Sequence, residues 1–171
     1  MKKYELTKEK KEFLGRTLYR IRALKDFELL DGTIIHAGDL GGWVEKEDNL
    51  SQEGSAWVYG DAWVSGEAWV YGDAWVYGDA LVYGNALVYG NAQVYRMEHI
   101  MTFGPAGSRN GTTTFYRNKN NGISVTCGCF NGSIEDFLAQ VNETHSDNKH
   151  GQVYRAAAEL AKLQIDLEGE Q

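Results

Sequence analysis

The chain has 171 residues, of which 43% are hydrophobic and 24% charged, and its formal net charge at pH 7 is −7. No run approaches the roughly 20 consecutive apolar residues of a membrane-spanning helix, which argues against a helical membrane protein. The first residues, Met1–Glu5, are followed by no apolar run, so we expect no signal peptide.

The N-terminal segment, residues 1–36, is expected to form a β-structured cap at one end of the repeats that follow it. Residues 17–35 predict two strands around a turn at Asp31-Gly32. The glycine-rich stretch Gly38–Trp43 leads into the repeats. Its glycines match neither the dinucleotide-binding nor the phosphate-binding spacing, so they do not indicate a nucleotide loop.

A six-residue repeat runs from Ala56 to Val94, with Gly, Ala and Val each recurring every six residues. A helix does not suit this pattern, because each Gly in a helix costs about 1 kcal/mol and six residues do not match a 3.6-residue turn. A strand does suit it, since Ala and Val are two residues apart and face the same side. Gly followed by an acidic residue or Asn makes a corner. The pattern predicts a triangular parallel coil over residues 37–96, with three hexads in each turn.

This spacing resembles the hexapeptide-repeat family, in which an aliphatic residue is followed four positions later by a small one, as Val58 is by Ala62. The family folds as a left-handed parallel β-helix, and its members commonly form trimers, so the resemblance implies a homotrimer. The resemblance covers residues 54–95. It extends back through Leu50 and Val44, which precede Ala56 at six-residue intervals and so lie in the register of the Ala positions. A meander of antiparallel hairpins is the alternative fold for the segment.

The residue between Ala and Val in each hexad is predicted to point away from the interior, and four of these residues are Trp. Four exposed indoles would present on the order of 800 Å² of aromatic surface, more than a monomer usually exposes. The N-terminal segment or a second copy of the chain would cover them, or they form a ligand or partner surface on which flat groups stack. The candidate binding residues here are Trp57, Trp63, Trp69, Trp75, Tyr59 and Tyr77.

Residues 37–96 are acidic, with two basic and nine acidic side chains. This charge argues against direct binding of nucleic acid and permits binding of a basic protein surface. A mimic of DNA that occupies a basic protein is one form of this hypothesis. The alternative interpretation is that Asp and Asn are present because they suit turns.

Residues 97–171 are predicted to form a small α+β domain that caps the coil. Two strands are expected to pair across a turn at Asn120-Asn121-Gly122, with the second strand reaching Phe130. Ser133 is a good N-cap for a first helix, and a second helix is expected from about Gln152 to Leu167. The predicted buried stripe of this second helix is Val153, Ala156, Leu160, Leu163 and Leu167.

Both flanks, including the stretches AGDLGGWVEKEDNLSQEGSAWVYGDA and CGCFNGSIEDFLAQVNETHSDNKHGQVY, resemble phage and prophage proteins of gut bacteria. The resemblance covers nearly the whole chain. It implies a biological context, the inside of an infected bacterium, and it does not imply an activity.

Two sets of residues in the C-terminal segment suggest chemistry. Cys127, Cys129, His145 and His150 form a candidate zinc set, because two thiolates and two imidazoles suit Zn²⁺. The alternative is a strand with one buried Cys and two surface histidines. The two cysteines are the only ones in the chain, and they lie too close for an ordinary disulfide, which favours a cytoplasmic location.

The second set is a candidate polar pocket. It would hold an anionic ligand such as a nucleotide phosphate, because Arg and hydroxyl groups suit anions. Turn and edge-strand polarity is the alternative explanation. The residues are Ser108, Arg109, Thr112 and Thr114, with Cys127 and His145.

The repeats contain no His, whereas hexapeptide-repeat acyltransferases use a His beside the coil as general base, so His36 is the only candidate here. We therefore expect a protein without catalytic residues or cofactors. The favoured hypothesis is an oligomeric phage accessory protein that blocks a bacterial immune protein or sequesters a nucleotide signal. The alternatives are a self-assembling scaffold, an acyltransferase and an acidic DNA mimic.

Overall fold

The computed structural model describes residues 1–168 and is mostly β-structure with two helices. The chain separates into two compact units, Met1–Met97 and the residues from Glu98 onward. The predicted N-terminal segment and the predicted repeats therefore belong to one unit.

The N-terminal part of the first unit forms two hairpins. Strand β1 pairs antiparallel with β2, and β2 pairs antiparallel with β5, while β3 and β4 form a separate hairpin. Asp31-Gly32 makes the turn of that second hairpin, as predicted, and Gly32 N–H donates to Leu29 O at 3.0 Å. The sequence pattern does not predict β1, because its many charged residues obscure any alternation. These strands are β1 (Tyr4–Phe13), β2 (Arg16–Ala23), β3 (Phe27–Glu28), β4 (Ile34–Ile35) and β5 (Leu40–Val44).

Each hexad contributes one two-residue strand, and each strand pairs in parallel with the strand 18 residues later, as Trp57 does with Trp75. The pairs form three ladders, in the orders β5-β7-β10, β8-β11 and β6-β9-β12. This parallel pairing confirms the predicted three-hexad spacing, and the antiparallel meander is wrong. The strands are β6 (Trp57–Val58), β7 (Trp63–Val64), β8 (Trp69–Val70), β9 (Trp75–Val76), β10 (Leu81–Val82), β11 (Leu87–Val88) and β12 (Gln93–Val94).

The Ala and Val of every hexad from residue 56 to residue 94 face the interior, where each is no more than 1% exposed. The corner glycines adopt φ between +67° and +72°, a region that side chains with a Cβ rarely occupy. At Gly54 a Cβ would also clash with the carbonyl of Gly72 in the next turn. The prediction of which residues face inward is confirmed.

The start of the repeats departs from the predicted register. Val44 stands opposite Val64, and Leu50 stands opposite Val70, so both pairs are separated by 20 residues. Val44 and Leu50 therefore occupy the Val register, and their predicted place in the Ala register is wrong. The reason is that Val58 follows Leu50 by eight positions, whereas successive Val residues of the hexads are six positions apart.

Side chains of the first residues satisfy carbonyls at the start of the repeats. Lys3 Nζ donates to Ala56 O at 2.7 Å, and the Tyr4 hydroxyl lies 2.6 Å from Glu47 O and 2.8 Å from Leu50 O. Both side chains are fully buried. Burial lowers the pKa of Lys3 to about 8, with the charge of Lys25 as the second cause. Burial also raises the pKa of Tyr4.

The second unit is a four-stranded antiparallel sheet packed against two helices. The predicted hairpin of β14 and β15 is confirmed, with Asn121 N–H donating to Asn118 O at 3.1 Å in its turn. The predicted second strand ends early, because Gly128 adopts φ +58° and turns the chain. The elements are β13 (Ile100–Ala106), β14 (Gly111–Arg117), β15 (Ile123–Cys127), β16 (Phe130–Ser133), α1 (Ile134–His145) and α2 (Lys149–Gln164).

Helix α1 begins as predicted, because the Ser133 hydroxyl accepts from Asp136 N–H at 3.1 Å. Helix α2 begins three residues earlier than predicted, since Asn148 caps it by accepting from Gly151 N–H at 3.0 Å.

The predicted buried stripe of α2 is wrong. Leu163 is 86% exposed, and Leu160 is also exposed. The helix instead packs its small residues and one ring against the rest of the unit, and the Tyr154 ring lies edge-on to Phe137 at 5.6 Å. Its buried residues are Gly151, Tyr154, Ala157, Ala158 and Ala161.

We expect Val76→Asp to unfold the first unit, because the interior between the ladders offers an unpaired carboxylate neither water nor a partner. The free energy of unfolding should fall by about 4 kcal/mol or more. Asn85→Asp is the matched control, because it adds the same charge at an exposed corner. Chemical denaturation followed by circular dichroism measures both, and equal stability of the two variants would contradict the inward placement of Val76.

We expect the buried ammonium of Lys3 to make stability depend on pH. The folded chain releases this proton near pH 8, whereas the unfolded chain keeps it to about 10.5. Stability should therefore rise with pH in this interval, by about 2 kcal/mol between pH 8 and about 9.5. Lys3→Met should abolish the rise and Lys8→Met, which changes an exposed lysine, should keep it. Urea denaturation at several pH values is the measurement, and parallel profiles for all three proteins would refute this origin.

Candidate functional site

Trp57 and Trp63, two of the predicted binding residues, are buried by the N-terminal strands. Trp57 is 0% exposed, and the rings of Tyr4 and Phe27 stand edge-on to it at 6.2 and 5.2 Å. Phe13, at the end of β1, covers Trp63 at 4.8 Å. The chain itself therefore covers these two indoles, Trp57 completely and Trp63 to all but 7% of its surface.

The outer side of the β5-β7-β10 ladder is a small apolar cluster of Leu18, Trp43 and Trp63. Lys11 Nζ lies 4.4 Å from the centre of the Trp43 ring, an arrangement in which the ring attracts the ammonium group. Burial lowers the pKa of Lys11, and the nearby Asp61 opposes the effect. The contact of Lys11 with Trp43 thus helps to hold β1 over the repeats.

Trp69 is the exposed indole of the repeats, with 42% of its surface accessible. Its ring stacks on Tyr71 at 4.2 Å with an interplanar angle of 15°, and Tyr71 stacks on Tyr89 at 4.5 Å. We call these three residues the aromatic stack. Burial raises the pKa of Tyr71, and Tyr89 is the second cause.

A second stack contains two further predicted residues of the repeats. Trp75, which is half-buried, stacks on Tyr77 at 4.2 Å, and Tyr77 stacks on Tyr95 at 4.8 Å. Tyr59 is exposed at a corner. The predicted aromatic residues therefore occupy several separate places and do not form one continuous surface.

An acidic cleft of about 470 Å³ lies beside Trp69. Its carboxylates are Glu47, Asp48 and Glu67. Lys46 Nζ lies 2.6 Å from Glu67, and Lys2 lies 2.8 Å from Glu47. The hydrogen bond from Lys2 is the main cause that lowers the pKa of Glu47. We call this cleft and the aromatic stack together the Trp69 surface.

An apolar cleft of about 340 Å³ lies between the tip of the first hairpin and the repeats. Leu14 at the hairpin tip is 84% exposed, and Tyr83 is also exposed. Phe13, Trp63 and Leu81 complete the apolar lining. Sequence reasoning misses Phe13 and Leu14, because no pattern in residues 1–16 places them beside the repeats.

The second unit contains a cleft of about 560 Å³, which we call the Arg109 cleft. It brings together four residues of the predicted polar pocket, namely Ser108, Arg109, Cys127 and His145.

Thr112 and Thr114 do not line the Arg109 cleft. Alternate residues of β14 face opposite sides of the sheet, and it is Thr113 whose hydroxyl contacts Cys127 Sγ at 3.2 Å. The two predicted threonines share the opposite side, and Thr114 is buried there. The prediction therefore assigned the wrong set of alternate residues of β14 to the side of the sheet that faces Cys127.

Tyr154 of α2 forms part of the Arg109 cleft and is missing from the predicted pocket. Its hydroxyl oxygen lies 3.9 Å from Cys127 Sγ. The pKa of Tyr154 is raised to about 12. Burial is the main cause, and the interaction with Cys127 is the second. A Cβ at Gly107 would clash with this hydroxyl, so a glycine there admits the Tyr154 ring. No sequence pattern pairs two residues so far apart.

The candidate zinc set is not assembled. The His145 ring lies 5.7 Å from the His150 ring and 5.7 Å from the Tyr154 ring. Within residues 1–168, no group of three or more His, Cys, Asp or Glu side chains is placed to hold a metal ion. Cys127, Cys129, His145 and His150 therefore do not form the predicted set.

His36, the candidate general base, is an exposed residue of the first unit. Its Nδ1 lies 3.3 Å from Asp26, and both side chains are largely accessible to solvent. The Ala37 N–H is the main cause that lowers the pKa of Asp26, and the hydrogen bond from His36 is the second. His36 and Asp26 therefore form an exposed side-chain pair beside a turn.

Comparison with known protein families gives a match to a family described as the YdcK beta solenoid repeat. The match covers residues 74–90 and 82–96, which are the last hexads. The chain is a β-solenoid repeat protein. Comparison with curated proteins gives no match. Among the helices in the described part of the solenoid protein, none is long and apolar enough to cross a membrane.

Proposed function

We propose that the protein is a non-enzymatic binding protein, whose solenoid presents the Trp69 surface to a basic region of a partner protein. The observation that carries the proposal is an accessible indole beside the carboxylates of Glu47, Asp48 and Glu67. An indole face attracts an Arg or Lys cation within about 6 Å of the ring. Lys46 and Lys2 already pair with Glu67 and Glu47, so a cation of the partner would bind Asp48 or replace one of these lysines, and both parts of the surface favour one kind of ligand.

The aromatic stack supports this proposal because it holds the Trp69 ring in one orientation. A ring that is already fixed loses little conformational freedom when a partner binds, so more of the contact energy appears as affinity. Tyr71 and Tyr89 are themselves half-buried, which makes the stack a rigid support for the exposed ring.

We propose that the solenoid is a triangular, left-handed coil of the hexapeptide-repeat kind, with residues 1–36 as its N-terminal cap. The parallel pairing at 18-residue intervals and the positive φ at each corner glycine support this form. The hydrogen bonds from Lys3 and Tyr4 to backbone carbonyls support the capping role.

We propose that copies of the chain assemble as a homotrimer through the apolar cleft. The exposed Leu14 and Tyr83 beside Phe13 and Leu81 are side chains whose burial releases water from apolar surface. The acidic cleft is less suited to this contact, because a second copy with the same net charge of −7 would be repelled there.

The resemblance of the flanks to phage and prophage proteins supports a role inside a bacterial host cell. In that setting the basic partner is a host protein, and a bacterial immune protein is the target that we favour. The Trp69 surface would occupy a basic site on that protein, where it competes with the ligand that normally binds there.

We expect the Trp69 surface to bind a hexa-arginine peptide, which serves as a probe for a basic partner. Trp69→Ser should weaken binding by about tenfold, as lost cation–π contact and packing at a partly desolvated ring predict. Tyr59→Ser removes a comparably exposed ring elsewhere and should leave binding unchanged.

Calorimetry at low and high salt gives the affinities, and binding should weaken as salt screens the carboxylates. A hexa-glutamate peptide should not bind. Equal affinity of the Trp69→Ser variant and the unaltered protein would refute the proposal.

We expect light scattering to give a mass near three times the 19.1 kDa of one chain. Leu14→Asp should give the mass of one chain, because the charge cannot be buried in the apolar cleft without a partner. Lys10→Asp, at an exposed position within β1, should keep the trimer. A single-chain mass for the unaltered protein would contradict the assembly, and filaments in electron micrographs would favour a scaffold.

A further inference from the structure

The Arg109 cleft lies entirely within the second unit. Its volume of about 560 Å³ falls within the range of clefts that hold small organic ligands. Strand ends, the β13–β14 turn and both helices contribute to its lining, so it is a feature of the packed unit.

The charge of this cleft is opposite to that of the chain. The whole chain has a net charge of −7, yet no Asp or Glu is among the described residues that line the cleft. Arg109 and His145 are its basic side chains. In the described part of the chain, Arg109 forms no salt bridge, so its guanidinium is available to an external anion.

The floor of the cleft is apolar and aromatic. The Phe130 ring lies 5.5 Å from the Phe137 ring, and Phe137 and Val141 are buried in the core of the unit. Phe130 is partly accessible and lines the cleft, so part of its ring can contact a ligand. A flat group placed on this floor would stack on the ring and leave its charged end near Arg109.

We infer that the Arg109 cleft is a binding site for a small organic anion that carries a flat ring. The guanidinium of Arg109 binds the carboxylate or phosphate, and Phe130 supports the ring. An aromatic carboxylate and a mononucleotide share this chemistry, and the experiment below separates them. The inference does not depend on the Trp69 surface, and either can fail alone.

The two cysteines provide a direct measurement of occupancy. Cys127 and Cys129 are the only cysteines in the chain, both are unpaired, and both line the cleft. A bound ligand should therefore slow their alkylation by iodoacetamide, which is small and uncharged. Mass spectrometry of the full-length protein follows the reaction, and peptide mapping assigns it to each thiol.

The probes are benzoate, adenosine 5′-monophosphate, inorganic phosphate and adenosine. Protection by benzoate or by the mononucleotide, at concentrations where phosphate and adenosine give none, supports the inference, and the better of the two identifies the ligand class. Equal protection by adenosine would show that charge is irrelevant. Equal protection by phosphate would show that the ring is irrelevant. Either of these results, or no protection by any probe, overturns the inference.

Variants of the cleft test the two parts of the site separately. Arg109→Gln should raise the half-protecting concentration of the ring-bearing anion by about tenfold, as expected for loss of a charge-assisted hydrogen bond. Lys119→Gln, in the β14–β15 turn, is the matched control and should have no effect.

Phe130→Leu keeps the apolar volume and removes the ring, so the advantage of the ring-bearing anion over phosphate should disappear. Thermal unfolding of each variant checks that the second unit is intact. Unchanged protection in Arg109→Gln overturns the assignment of the guanidinium, even if a ligand binds.

Discussion

The interior of the repeat segment holds small aliphatic side chains, Ala and Val in the hexads and Leu50 at the start, and this packing governs the rest of the first unit. Ala and Val fill the space between three ladders of two-residue strands, and corner glycines accept the positive φ that brings each ladder back into register. Bulkier residues must therefore lie outside the ladders. The indoles are outside for this reason, and each must then be covered by another part of the chain, stacked on a neighbouring ring, or left accessible.

The chain uses all three solutions, and this is how the repeats acquire distinct surfaces from nearly identical hexads. β1 and its neighbours cover Trp57 and Trp63, whereas Trp69 stays accessible beside carboxylates. The difference arises from the flanking sequence, since the hexads themselves are almost the same. A repetitive framework thus becomes asymmetric because a single N-terminal segment lies against only part of it.

The periodicity of the hexads is sufficient to predict strand length, inward residues and parallel pairing, because each property follows from local spacing. It fails at Val44 and Leu50, where two additional residues shift the register without altering the aliphatic pattern. It also fails on α2, where apolar residues occur on more than one face and the close approach of small residues decides which face is buried. Long-range contacts such as Lys3 with Ala56, or Gly107 with Tyr154, have no local signal. For the same reason only part of the Arg109 cleft follows from the sequence.

The contact between Lys3 and Ala56 joins residues that are 53 positions apart, and Lys3 directly precedes β1. The ribosome adds residues in the direction from Lys3 to Ala56, so the ammonium group cannot meet its carbonyl acceptors until residues 53–56 have been added. Lys3 therefore reaches its final position only after the start of the repeats has been synthesised. Before that point β1, in which six of the ten side chains are charged, is a segment that water solvates readily.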